Sequence, residues 1–260
     1  MRWSQVGRRM AWWGLGACLA LVLGGCGPRG LVRSELAGRA QEGPKRVLVV
    51  PADFVITEIT FGKTEERVVP AERQAAKVLA EQIDLLGRKD KAFEFVPFDG
   101  LSQAQQDDVL QHRALFATMV SQLLLVKEDA IDVWSDKASY FDYTLGAGMA
   151  DVARAARIDT AIFIVGKDKV RSTSRKVLDT IAAVLPVGES LSSQPAAVVL
   201  GVVDMATGDI QMFDSEMATR KALTNDDDVR AMGEAVLTDF RRSVTERKPA
   251  RKAAGTGAQP

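Results

Sequence analysis

Ala196–Glu216 reads AAVVLGVVDMATGDIQMFDSE. Two runs rich in apolar and β-branched residues, Ala196 to Met205 and Asp209 to Met217, flank the turn Ala206-Thr207-Gly208. A short turn with glycine where a positive φ is needed, set between two strand-like runs, predicts a β-hairpin. Working back from it, Thr160 to Val165 (TAIFIV) predicts a central strand of β-branched and aromatic residues. Lys45 to Val50 (KRVLVV) predicts a buried strand, Phe54 to Thr60 a second one after Pro51-Ala52-Asp53, and Phe93 to Phe98 a short alternating one.

Helical patterns lie between these strands. Pro70 suits a first turn, AERQAAKVLAEQIDLL follows with good helix formers, and Gly87 is expected to end the helix. Ser102-Gln103-Ala104-Gln105 has capping-box spacing and starts a helix to about Lys127. Gly146 to Arg157 and the amphipathic Thr173 to Leu185 predict two more, and Asn225-Asp226-Asp227-Asp228 caps a last one to about Thr245. Glu128 to Thr144, where Trp134, Tyr140, Phe141 and Tyr143 mix with acids, reads as a helical turn or an irregular ledge. No repeat of solenoid or propeller period recurs. The expectation is one α/β or α+β domain over 45–246, with a mixed sheet of about six strands covered by about five helices.

The ends carry a different signal. Arg2, Arg8 and Arg9 precede an apolar stretch from Met10 to Leu23, closed by Gly24, Gly25 and Cys26. That is the order of a secretory signal over 1–25, and about 14 residues are too few to cross roughly 30 Å of hydrocarbon. Leu23-Gly24-Gly25-Cys26 resembles the bacterial lipobox, which implies cleavage between Gly25 and Cys26 and lipid on the Cys26 thiol. Ordinary secretory cleavage, with Cys26 left as a free thiol, is the alternative. Cys18 lies in the signal, so the mature chain has no second cysteine for a disulfide. Residues 26–44, rich in glycine with two prolines, read as a flexible tether, and 247–260 as a disordered basic tail.

The chain carries 34 basic and 34 acidic residues. Nine of the bases fall in the signal or from Arg241 onward, so the body is acidic, which is no nucleic-acid signature. His112 is the one histidine. It falls on the helical stripe of Val109, Phe116, Val120 and Leu123 and reads as a buried or boundary residue with a local hydrogen-bond partner. Without a second histidine or a free mature cysteine, a zinc site of nitrogen and sulfur ligands is excluded. Gly146-Ala147-Gly148-Met149-Ala150-Asp151 has Asp151 where a dinucleotide fingerprint needs its third glycine. Asp226 to Asp228 lack calcium-loop spacing and read as a helix cap. No cofactor and no catalytic residue is assigned.

The most suggestive functional stretch is KDKVRSTSRKVLDTIAAVL. Lys167, Lys169, Arg171, Arg175 and Lys176 supply basic charge, and Val177, Ile181 and Leu185 lie on a helical apolar face. Basic charge beside such a face suits a membrane surface or a partner; core packing is the alternative use.

The lipobox, FDYTLGAGMADVARAARIDTAIFIVGKD and the hairpin with Val203-Asp204-Met205-Ala206-Thr207-Gly208-Asp209 resemble a group of uncharacterised proteobacterial envelope lipoproteins. More loosely they are similar to the partner-binding α/β domains of the curli-secretion lipoprotein and of the amino-terminal part of the Tol translocation protein. Phe213-Asp214 stands where such proteins often carry an aromatic-Asn pair. The resemblance implies a periplasmic α/β domain and no catalytic residues to carry over; the lipid anchor, the tether and the lack of a catalytic set point to an envelope protein as partner. The absence of aspartate after Cys26 resembles outer-membrane retention. A non-catalytic binding lipoprotein is therefore the first expectation. A carboxylate-dependent hydrolase of cell-wall or surface polysaccharide and a secretion-pore subunit are the alternatives.

Overall fold

The computed structural model describes residues 31–32, 45–60, 64–89, 93–127, 141–171 and 195–245. Its strands are β1 (Leu31–Val32), β2 (Lys45–Val49), β3 (Asp53–Ile59), β4 (Glu65–Arg67), β5 (Phe93–Pro97), β6 (Thr160–Arg171), β7 (Ala196–Asp204) and β8 (Ile210–Ala218). Its α-helices are α1 (Val69–Lys89), α2 (Gln103–Lys127), α3 (Ala150–Ala156) and α4 (Asp226–Thr245). All strands join one 8-stranded sheet of order β1-β8-β7-β6-β2-β5, with β3 on β6 and β4 on β3. β2 and β3 lie parallel to β6, and β6, β7 and β8 are successively antiparallel. The mixed α/β single domain expected from the sequence is the one found.

Period-two alternation makes three layers. Val47, Ile162, Ile164, Val198, Leu200, Val202 and Met212 pack with α1 and α4 on one face. Leu48, Ala161, Phe163, Val165, Val199, Val203 and Phe213 pack with α2 and α3 on the other. β6 is buried on both faces from Thr160 to Gly166, which is why TAIFIV has no polar alternation. Gly201 makes room for Phe116, whose ring would collide with a Cβ there. Phe116 instead lies 5.9 Å from the Phe163 ring and 6.5 Å from that of Phe213. Fully burying such a ring contributes about 1.5–3 kcal/mol.

The caps follow the sequence. Gln105 N–H donates to Ser102 Oγ at 3.4 Å and Ser102 N–H to Gln105 Oε1 at 2.9 Å, closing a capping box. Asn225 Oδ1 accepts the amides of Asp227 and Asp228 at the start of α4. His112 is half-buried, and its Nδ1–H donates to the Asp108 carbonyl at 2.8 Å. Its ring fills the space beside Gly148, where a Cβ would meet it.

Several expectations are corrected. Gly87 does not end α1, which runs to Lys89; the Phe95 ring lies where a Gly87 side chain would stand, so this glycine serves close packing. Gly146 does not open a helix: its φ of 79° sets it outside, a 3-10 turn covers Ala147–Met149, and α3 begins at Ala150. β2 and β3 are two stretches of one line along β6. Val49 stands opposite Ile162 and Asp53 opposite Val165, so three residues face two and the break at Val50-Pro51-Ala52 is a one-residue bulge. β6 runs past Val165 to Arg171 because β3 supplies a parallel ladder all the way. The stretch taken as tether holds β1, paired antiparallel to the outer edge of β8. The helix expected over Thr173 to Leu185 lies outside the described residues.

Candidate functional site

Among the described residues, the core on one face of the sheet takes in β6 only as far as Val165; beyond it Lys167 is exposed and Lys169 and Arg171 are half-buried. Gly166, Asp168 and Val170 point toward α1 and α4, so alternation turns Lys167, Lys169 and Arg171 the other way. On β3 the residues opposite these cations are Val55, Thr57 and Ile59. Ala197 of β7 stands opposite Lys167, and Met217 of β8 opposite Ala197. Lys167 is exposed and Met217 is 40% exposed. Lys169 Nζ reaches Glu65 Oε1 of β4 at 2.7 Å. Among the described residues, the core on this side of the sheet takes no member of β6 beyond Val165. The result is a face of alternating cationic and apolar side chains at one end of the sheet.

Three of the basic residues singled out in the sequence thus meet on one surface, on strand β6. Strand period, not helical period, brings Lys167, Lys169 and Arg171 together. Arg175, Lys176, Val177, Ile181 and Leu185 lie outside the described residues, as do Gly25 and Cys26.

Behind this face two buried carboxylates hold the frame. Asp168, 4% exposed, accepts the Leu223 amide at 2.8 Å through Oδ2. Asp228 accepts the neighbouring Ala222 amide at 3.0 Å. The β8–α4 loop is therefore tied to the back of β6, which brings exposed Arg220 and half-buried Lys221 to the same end of the sheet. Burial pushes the Asp168 carboxyl above its ordinary value against the pull of the Leu223 and Lys169 amides, and Asp228 adds to the rise. Glu72, in the first turn of α1, accepts the Ile56 amide at 3.1 Å and a two-bond fork from Arg67 at 2.9 and 2.8 Å. Burial alone would raise its carboxyl, but the Arg67 and Ile56 bonds outweigh it and hold the group below its ordinary value.

At the other end of the sheet, the hairpin motif shows its reason. Asp204 Oδ1 accepts the amides of Ala206 and Thr207 at 2.9 and 3.1 Å, and Oδ2 accepts Gln211 Nε2 at 3.1 Å. Thr207 Oγ1 accepts the Asp209 amide at 3.2 Å. Gly208 has φ 78° and abuts the Gly146 backbone, while Leu145 N–H donates to its carbonyl at 2.8 Å. The aspartate, threonine and glycine of the motif thus build a turn and dock it on 143–146.

Solved structures with which the chain aligns include a point-variant PelC dodecamer from Paraburkholderia phytofirmans, at TM-score 0.32 and 10% identity over 77% of this chain and 94% of that one. A second PelC dodecamer from that organism aligns at 0.29 and 10%, over 76% and 94%. The LpoB C-terminal domain from Salmonella enterica aligns at 0.27 and 12%, over 71% and 89%. No protein-family model and no curated protein matches the sequence. Likeness at this level assigns no function.

The sequence reading missed Glu72 and Asp168. The alternation Ile162, Ile164, Gly166, carried one step further along the strand, is the signal that could have marked Asp168 as a buried carboxylate. Among the described residues no group of three His, Cys, Asp or Glu is placed to hold a metal. No helix among them is long and apolar enough to cross a membrane.

Proposed function

We propose that this chain is a membrane-anchored envelope lipoprotein, lipidated on Cys26, whose non-catalytic α/β domain binds another envelope component. The observation that carries this reading is the division of labour among polar groups. The buried carboxylates of Glu72 and Asp168 and the ring of His112 are each engaged by backbone or by a paired arginine. Groups held in this way stabilise a frame, whereas general acid-base work needs a group facing a substrate. The polar groups left outward at the β6 end form a cationic and apolar face, the composition of a docking surface. The lipobox supports the anchor, and the residue after Cys26 supports placement in an outer membrane facing the periplasm.

Two measurements test this. Changing Cys26 to Ala and fractionating cells should move the protein from membrane to soluble fraction; continued membrane retention with the signal removed overturns the anchor. Photo-crosslinking residues placed singly across the exposed surface in intact cells should yield one discrete crosslinked envelope protein from a single patch of positions. Capture alike at every position, or at none, would overturn the binding reading.

A further inference from the structure

Phe163, Gly201, Phe213 and Leu31 stand in one row across β6, β7, β8 and β1. Five residue steps separate Leu31 from Cys26, a reach of at most about 18 Å at roughly 3.3–3.6 Å per residue. Eight steps separate Phe163 from Arg171, or about 26 Å of strand. Two antiparallel pairings make β8 run in the same sense as β6, and β1 runs against β8. Taken backward from Val32 to Leu31, β1 therefore points to the Arg171 end of the sheet. The ribbon of β3, β4 and β6 projects beyond Ala196, the first residue of β7, and reaches further in that direction than Cys26 can.

From this we infer that the outward face of that ribbon is a membrane-contact surface, with Lys167, Lys169 and Arg171 against phospholipid headgroups. The inference rests on Cys26 being the lipidated residue. A cysteine whose acyl chains enter the bilayer holds Leu31 within about 18 Å of the headgroups, so the domain does not stand clear of the membrane. Among the described residues within that distance, the ribbon face has the matching chemistry. Lys167, Lys169 and Arg171 alternate with the apolar or small residues of β3, and Met217 adds an exposed apolar side chain. Glu65 lies on the same face, bonded to Lys169, while Glu58 falls on the opposite face beside Val170. Arg220 and Lys221 add cations at the same end, Lys221 with Glu216 3.9 Å away. Such a face attracts anionic lipid, and salt screens the attraction.

The test uses full-length lipidated protein in vesicles of phosphatidylethanolamine and phosphatidylglycerol, with Cys26 acylation read by mass spectrometry of the mature N-terminus. The mature chain has no other thiol, so Thr57→Cys places a single fluorophore on the ribbon face and Ala206→Cys places one at the far turn. Headgroup-nitroxide lipid should quench the first strongly and leave the second unchanged. Adding Lys167→Glu with Arg171→Glu, or salt at about 1 M, should cut the Thr57→Cys quenching by roughly half or more, with the melting temperature unchanged. Acylated protein with no quenching at position 57, or with equal quenching at 206, overturns the membrane face and leaves the anchor standing. Protein without acyl on Cys26 overturns the anchor and the membrane face together.

Discussion

Leu31 pairs with Phe213 at the outer edge of β8, and only four residues stand between Leu31 and Cys26 in the sequence. Inserting about 12 glycine and serine residues after Gly27 should lengthen the reach by a root-mean-square distance of roughly 20 Å. The melting temperature should stay the same, and quenching at Thr57→Cys should fall. Unchanged quenching would mean that the short reach does not hold the ribbon at the membrane.

Asp168 carries its own pH signature. Its carboxyl lies above the ordinary 3.8, so the folded state binds the proton more tightly than the unfolded one. Its contribution to stability therefore falls as pH rises from the ordinary value through the raised one. Asp168→Asn keeps an acceptor for the Leu223 amide and loses the charge. It should melt at or above the parent at neutral pH, with the difference closing as pH drops toward 4. Asp168→Ala strands the amide and should cost about 1–3 kcal/mol. Denaturant melts across pH check both, and an unchanged pH slope in Asp168→Asn contradicts the assignment.

Glu72 behaves in the opposite sense. Its carboxyl is held below the ordinary 4.5, so its stabilising effect is complete above that value and is lost as pH falls through the lowered one. Glu72→Ala leaves the Ile56 amide without its acceptor, a loss of about 1–3 kcal/mol at neutral pH, and the further loss owed to the Arg67 ion pair should disappear in acid. Glu72→Gln keeps that acceptor and should lose less. Equal losses for the two variants would show that the Ile56 bond is not the contact that matters.

The hairpin turn should respond to two single changes. Asp204→Ala removes the acceptor for two turn amides and for Gln211, and should lower stability by about 1–2 kcal/mol. Gly208→Ala places a Cβ on a left-handed residue and against the Gly146 backbone, so it should cost more than Asp204→Ala. Thermal melts rank them, and a neutral Gly208→Ala would contradict the close approach.

Gly201→Ala would push a methyl into Phe116 at the centre of the second core. Overpacking there should cost about 1–3 kcal/mol, and pairing it with Phe116→Leu should recover part of the loss. Additive losses in the double variant would rule out direct contact.

Local and periodic features were readable in the sequence because neighbours along the chain decide them. The hairpin around Ala206-Thr207-Gly208, the Ser102–Gln105 capping box, the Asn225 cap and the buried character of Thr160–Val165 each follow from turn chemistry, capping groups or alternation. The layered α/β class follows from their order. Outcomes that depend on distant residues were not readable. β6 extends to Arg171 because β3, more than 100 positions away, supplies its ladder, and backbone pairing tolerates charged side chains at the end of a sheet. Gly87 continues a helix because Phe95 needs its space. Leu31–Val32 joins the sheet because the outer edge of β8 offers unpaired backbone groups. The sequence by itself determined β2, β3 and β5 to β8, the helices α1, α2 and α4 with the caps of α2 and α4, and the signal that points to Cys26. Only the tertiary structure decided that Lys167, Lys169 and Arg171 share one face and that the chain leaves the sheet so close to Cys26, since both are matters of strand register, set by pairing between residues far apart in the chain.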